Sequence, residues 1–156
     1  MSRTSRRIIH DDLTKPDVVA LVELHLRAAH ENSPPGSVFA LDLTGLRDPA
    51  VTVWSAWDGD RVVGLAALKH LDDTHAELKS MRTAPTHLRH GIGRLMLDHA
   101  IAEARTRGYR QISLETGTAA SYTAAHRLYE HAGFIACEPF GSYSDRTFAA
   151  YYTLEM

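Results

Sequence analysis

Arg89-His90-Gly91-Ile92-Gly93-Arg94 stands between a stretch that reads as a strand, Ala76 to Arg82, and the clearest helix of the chain, Gly91 to Arg107. In that helix Leu97, Ala100, Ile101 and Ala104 form one apolar stripe, while Asp98, Glu103 and Arg105 fall outside it. Arg105 and Arg107 suit the negative end of the helix, and Gly108 ends it. A helix amino end carries free backbone N–H groups and about half a positive charge. Glycines let a bulky anion approach that backbone, so the turn reads as a diphosphate cradle. The charge pattern agrees. From Lys79 to Leu97 there is no Asp or Glu, whereas Lys79, Arg82, Arg89 and Arg94 are cationic. A solvated basic face gives the same pattern, and so does a tight turn without a ligand. A dinucleotide-binding turn asks for a third glycine where Met96 stands and an acid at the end of the next strand, roughly where Glu115 stands. The third glycine of that turn is missing, and the Gly-Lys-Ser/Thr of a P-loop is absent.

Working outward, Arg6 to Leu13 reads as a first strand and Asp17 to His30 as a helix, with Val18, Leu21, Val22 and Leu26 on one face behind Pro16. Val51 to Trp57 and Arg61 to Leu71 are strands joined at Asp58-Gly59, a strong hairpin signal. Gln111 to Thr116 is a strand. Ser121 to Ala132 is a helix, closed by Gly133-Phe134 as a left-handed cap. Phe134 to Cys137 and Thr147 to Leu154 complete the strands. The order is strand, helix, a second short helix, three strands, helix, strand, helix, two strands. Tight turns imply antiparallel pairing, and the strand-helix-strand unit implies one parallel pair. The fold class is α/β (mixed α+β): a central, mostly antiparallel sheet flanked by helices, in a single domain over residues 1–156.

The chain has 156 residues, near the common size of one domain. Its 44% hydrophobic and 23% charged residues are ordinary for a globular protein. No apolar run approaches the ~20 residues of a membrane span, and the start lacks the apolar core of a secretory signal. A net charge of −2 gives no pull toward nucleic acid or membrane. One cysteine, Cys137, excludes an internal disulfide and fits a cytoplasmic location. The histidine pairs His25/His30 and His126/His131 are five apart, which does not place them on one helix face, and no zinc-like quartet exists. No metal is expected.

The strings Leu78-Lys79-Ser80-Met81-Arg82-Thr83-Ala84-Pro85 and Arg89-His90-Gly91-Ile92-Gly93-Arg94-Leu95-Met96-Leu97 resemble the acetyl-CoA-binding motif of the GCN5-related N-acetyltransferase (GNAT) superfamily. Leu128-Tyr129-Glu130-His131-Ala132-Gly133-Phe134 is similar to its second motif, and the hairpin from Trp57 to Gly64 to its approach. The resemblance covers about residues 50–137. It departs at Leu88, where the family usually has Gln or Arg, and at Tyr122, where it often has Asn.

The resemblance implies the acyl-CoA N-acyltransferase fold and acetyl-CoA as co-substrate. Met81 (through its backbone N–H), Arg82, Arg89, His90, Gly91, Ile92, Gly93, Arg94 and Arg127 are then the cofactor-binding candidates. An alkyl ammonium of pKa near ~10.4 costs about 4–5 kcal/mol to deprotonate at pH 7, so a base has value. Glu77 is the candidate base and Glu115 a second; a strand carboxylate paired with Lys79 is the bland reading of Glu77. The alternation Glu77, Lys79, Met81 places these three on one sheet face. Tyr129 matches the family tyrosine that approaches the thioester sulfur as an acid; a packed helix tyrosine is its bland reading. Phe39, Phe140 and Tyr143 are the candidate walls of an acceptor pocket, with core packing as the alternative.

The expected activity is transfer of an acetyl group from acetyl-CoA to the amine of a small molecule by direct attack. The alternatives are a catalytically silent acyl-CoA-binding module of the same fold and a dinucleotide oxidoreductase. Neither nucleic acid nor membrane is an expected partner; a homodimer is compatible with the sequence.

Overall fold

A computed structural model describes residues 6–156. The strands β1 (Arg6–His10), β2 (Val51–Asp58), β3 (Arg61–Asp72), β4 (His75–Thr83), β5 (Gln111–Gly117), β6 (Ile135–Ala136) and β7 (Ala149–Glu155) form one sheet of order β1-β2-β3-β4-β5-β7-β6. Every pairing is antiparallel except β4 with β5. That parallel pair brackets α3 (Ile92–Thr106), as a strand-helix-strand crossover requires. The other helices are α1 (Pro16–Asn32), a single turn α2 (Leu43–Leu46) and α4 (Thr123–His131).

The sheet separates two cores. On one face Ile92, Met96, Leu97 and Ala100 of α3 and Tyr129 of α4 pack on Ala66, Leu68, Leu78 and Leu114. On the other, Val18, Leu21 and Val22 of α1 and Leu46 of α2 pack on Val53, Trp57, Leu65 and Ala67. The α3 stripe read from the sequence is buried throughout; on α1, Val18, Leu21 and Val22 are buried as read, whereas Leu26 is half-buried and outside the cluster, against which Leu24 packs instead. Gly64 lets α3 close on the sheet: a Cβ there would lie 2.7 Å from Ile92 Cγ2. The Gly133 cap is a Schellman motif. Gly133 has φ 102°, its N–H reaches the Glu130 carbonyl, and Phe134 N–H reaches that of Tyr129.

Element ends depart from expectation for local reasons. β1 stops at His10, because the Asp11 carboxylate turns the chain by accepting from Leu13 N–H and from the Ser55 hydroxyl. The helix read from Ser121 begins at Thr123 behind a short 3-10 turn, Ala120–Tyr122. β6 keeps two residues, and β7 starts at Ala149, because Asp145 ties down the amides of Thr147 and Phe148 as a turn.

One correction matters for the site. Opposite β3, Ala67 pairs with Lys79 and Leu65 with Arg82, so β4 carries one extra residue between them. Ser80 sits in this bulge with φ 55°. The bulge resets the alternation. Glu77, Lys79 and Arg82 share the α1 face, whereas Met81 packs against the α3 core.

Candidate active site

β4 and β5 pair only from His75 to Leu78 against Gln111 to Leu114. Beyond that point β4 runs on to Thr83 and β5 to Gly117 without pairing each other. The opening is a cavity of about 250 Å³. Its floor is β4 and β5; its walls come from α1, the segment before α2, and α4, with His25, Phe39, Glu77, Arg82, Glu115 and Tyr129 among its lining.

Glu77 is buried and engaged. Its Oε2 accepts from Lys79 Nζ at 3.0 Å and from the Tyr143 hydroxyl, and the same ammonium donates to Tyr143 Oη at 2.8 Å. Lys79 and Glu77 side chains are 7% and 4% exposed, a nearly dry ion pair. Burial and the neighbouring Glu77 carboxylate push the Tyr143 phenol well above its ordinary value. Glu115 differs. It lines the same cavity with no hydrogen-bond partner among the described residues. Burial pushes its pKa up to about 7; Lys79 opposes that rise, and Glu77 and Asp145 add to it.

Tyr129 is both core and wall. Its ring packs 5.9 Å from Phe134 and 6.2 Å from Tyr152, and the residue also lines the cavity. Burial, reinforced by Glu115, lifts its phenol to about 12, so it keeps its proton at neutral pH. The three aromatics expected to wall a pocket are brought together: Phe39 and Phe140 stand 5.3 and 5.2 Å from Tyr143, each edge-on. Phe39 lines the cavity itself, and Tyr143 reaches it through Glu77 and Lys79.

At the glycine turn, Arg89 and Gly91 adopt left-handed φ of 64° and 78°. No side chain caps α3 and no acid lies in its first turn. Leu95 N–H closes the first helical bond to Gly91, which leaves the amides of Ile92, Gly93 and Arg94 as the free donors of the helix end. A Cβ on Gly91 would meet nothing within 4 Å, and one on Gly93 would press to 3.2 Å from Leu128 of α4. Arg89 and His90 are exposed, and Arg94 pairs with Asp98 at 2.9 Å. Arg127 is exposed on α4. The Arg82 guanidinium, expected near phosphates, instead donates through Nε to His25 Nδ1 of α1 at 3.0 Å.

Three features escaped the sequence. Tyr143 was legible as an aromatic wall but not as a donor to Glu77, 66 positions away. The contacts of Arg82 with His25 and of Ser37 with Asp145 (2.6 Å) span 57 and 108 positions. No local pattern announces pairs so distant.

The model of the "Acetyltransferase (GNAT) family" matches residues 18–134. The chain is 52% identical over 135 residues to the uncharacterized N-acetyltransferase YsnE of Bacillus subtilis (86% of this chain, 89% of the relative). It is 53% identical over 133 residues to the uncharacterized N-acetyltransferase YedL of Escherichia coli (85% and 84%), and 34% identical over 127 residues to an IAA acetyltransferase of Azospirillum brasilense (81% and 82%). Among solved structures, a Klebsiella pneumoniae protein assigned as an acyl-CoA N-acyltransferase superposes with TM-score 0.80 at 24% identity, covering 96% of this chain and 97% of that one. A GNAT family acetyltransferase of Elizabethkingia anophelis with acetyl-CoA bound superposes with TM-score 0.72 at 18% identity, covering 99% and 100%. These structures share its fold, and the family match together with the close relatives assigns the chain: it belongs to the acetyltransferase (GNAT) family.

Proposed function

We propose that this protein transfers the acetyl group of acetyl-CoA to the amine of a small molecule, without a covalent enzyme intermediate. The observation that carries the reading is that Glu115, without a hydrogen-bond partner among the described residues, and the buried Tyr129 phenol line one cavity. A carboxyl group near pKa 7 suits proton acceptance at neutral pH. A phenol near 12 suits donation. The uncapped amides of Ile92, Gly93 and Arg94, at the positive end of α3, fit the coenzyme diphosphate. Met81 supplies backbone beside the cavity, and Arg89, His90 and Arg127 supply exposed groups for the phosphates.

The reaction balances within these residues. A new C–N bond forms as the C–S bond of the thioester breaks. The ammonium gives one proton to Glu115 before attack; the departing thiolate takes the Tyr129 proton, and the second proton that the nitrogen sheds as the amide forms returns to the Tyr129 phenolate. Glu77, the base expected from the sequence, is assigned a second part. Its Oε2 already serves Lys79 and Tyr143, so it fixes the cavity wall while the unpartnered Glu115 receives the proton. Phe39 is the apolar side of the acceptor pocket, braced from behind by Tyr143, against which Phe140 packs. A named activity on IAA belongs to one relative, and it supports a small-molecule acceptor rather than a protein tail. Among the described residues no helix is long and apolar enough to cross a membrane, and the single cysteine fits a cytoplasmic enzyme.

The test is release of free thiol from acetyl-CoA in the presence of an amine panel. The proposal expects amine-dependent release. Coenzyme binding with no release on any amine would replace it with the silent binding module.

A further inference from the structure

Arg82 is the cavity cation left without an acid. Lys79, the other, is matched by Glu77. Among the described residues no carboxylate lies within ion-pair reach of Arg82, and its only side-chain partner is His25. His25 is held neutral: burial, with the charges of Arg82 and Lys79, pushes its pKa down to about 4. A neutral imidazole accepting from Nε orients the guanidinium without offsetting its charge. The Nη edge, the fork that clamps a carboxylate by two parallel bonds, has no acceptor among the described residues. A half-buried charge in this state is costly unless a counter-ion completes it.

Arg82, His25 and Glu115 line the same cavity. The site thus offers one seat for an anion and one for an ammonium, with the Phe39 and Tyr122 rings beside them. We infer that the acceptor is an amino acid, its carboxylate clamped by Arg82 and its amine turned toward Glu115. This inference rests on the acetyl-transfer reading above. The other anion that chemistry allows at Arg82 is a phosphate of the co-substrate, and the experiment separates the two.

Thiol release from acetyl-CoA is measured for free amino acids, their carboxamides and their decarboxylated amines. The comparison on the native protein needs no variant. Free acids should exceed both neutral analogues by about 100-fold in kcat/KM, the loss expected when a buried charged partner goes unpaired. Arg82→Gln should erase that preference and leave the KM for acetyl-CoA unchanged. Equal turnover of acids and carboxamides overturns the inference. So does a rise confined to the KM for acetyl-CoA in Arg82→Gln, which would give the anion seat to the co-substrate. Calorimetric titration of the CoA-saturated protein with the same panel separates the two levels of the argument. Acid-selective binding lost in Arg82→Gln, without thiol release on any amine, refutes acetyl transfer and upholds the carboxylate seat. Absence of acid selectivity in both binding and turnover sinks it.

Discussion

The Tyr143 hydroxyl donates to Glu77 Oε2 while accepting from Lys79 Nζ, so a loop near the end of the chain closes a charged triangle on β4. Its two charges are nearly dry, Tyr143 is half-buried, and its parts are unequal. Tyr143→Phe keeps the ring against Phe39 and Phe140 but removes hydrogen bonds to two buried charges. It should cost about 1.5–3 kcal/mol in urea unfolding. Glu77→Gln leaves Lys79 buried without its counter-charge and should cost more, about 3–5 kcal/mol. A Glu77→Gln protein of native stability would show that the pair is solvated and that Glu77 is free for proton transfer.

Tyr129→Phe retains the ring that packs against Phe134 in the helix cap and removes only the hydroxyl. Turnover should fall by about 10²–10⁴-fold, the usual reach of general acid catalysis, with acetyl-CoA affinity nearly unchanged in calorimetry. Unchanged turnover would remove Tyr129 from the acid role.

On the proposed reaction, Glu115 should set the pH profile. As a base it must be ionised, so kcat/KM should rise through about pH 7, and Glu115→Gln should abolish that limb. Stability moves the opposite way. The folded-state pKa is raised above the ordinary 4.5, so the folded protein binds more protons than the unfolded chain between about 4.5 and 7. The native protein therefore loses stability as pH rises through that window. Glu115→Gln should be stabilising above pH 7, by at most about 3 kcal/mol, and nearly neutral at pH 4. Melting curves at the two pH values check the sign.

Gly91 has φ 78° and an open Cβ direction at the head of α3. Valine there adds about 1–2 kcal/mol of backbone strain and puts a branched side chain beside the free amides. Gly91→Val should remain folded and lose at least ~100-fold in acetyl-CoA affinity, as a diphosphate cradle requires. Full affinity in calorimetry would place the coenzyme elsewhere.

The sequence carries the fold further than it carries the site. The α3 stripe, the Asp58-Gly59 hairpin and the Gly133 cap are local patterns, each set by a period or by a glycine conformation, and all three stand in the structure. Tyr129 and Glu115 reach the cavity because strand and helix periods already fix their faces. The face of Met81 misleads, because a one-residue bulge at Ser80 inverts the alternation and leaves no mark in composition. Arg82 was legible as a cation near the cradle, but its side chain follows the inverted register to His25 on α1.

The most direct measurement is a crystal structure with acetyl-CoA bound. The account predicts diphosphate oxygens within hydrogen-bond distance of the Ile92, Gly93 and Arg94 amides, and the thioester in the cavity between β4 and β5 with Tyr129 near its sulfur. A diphosphate held away from the head of α3, or a thioester outside that cavity, would contradict it.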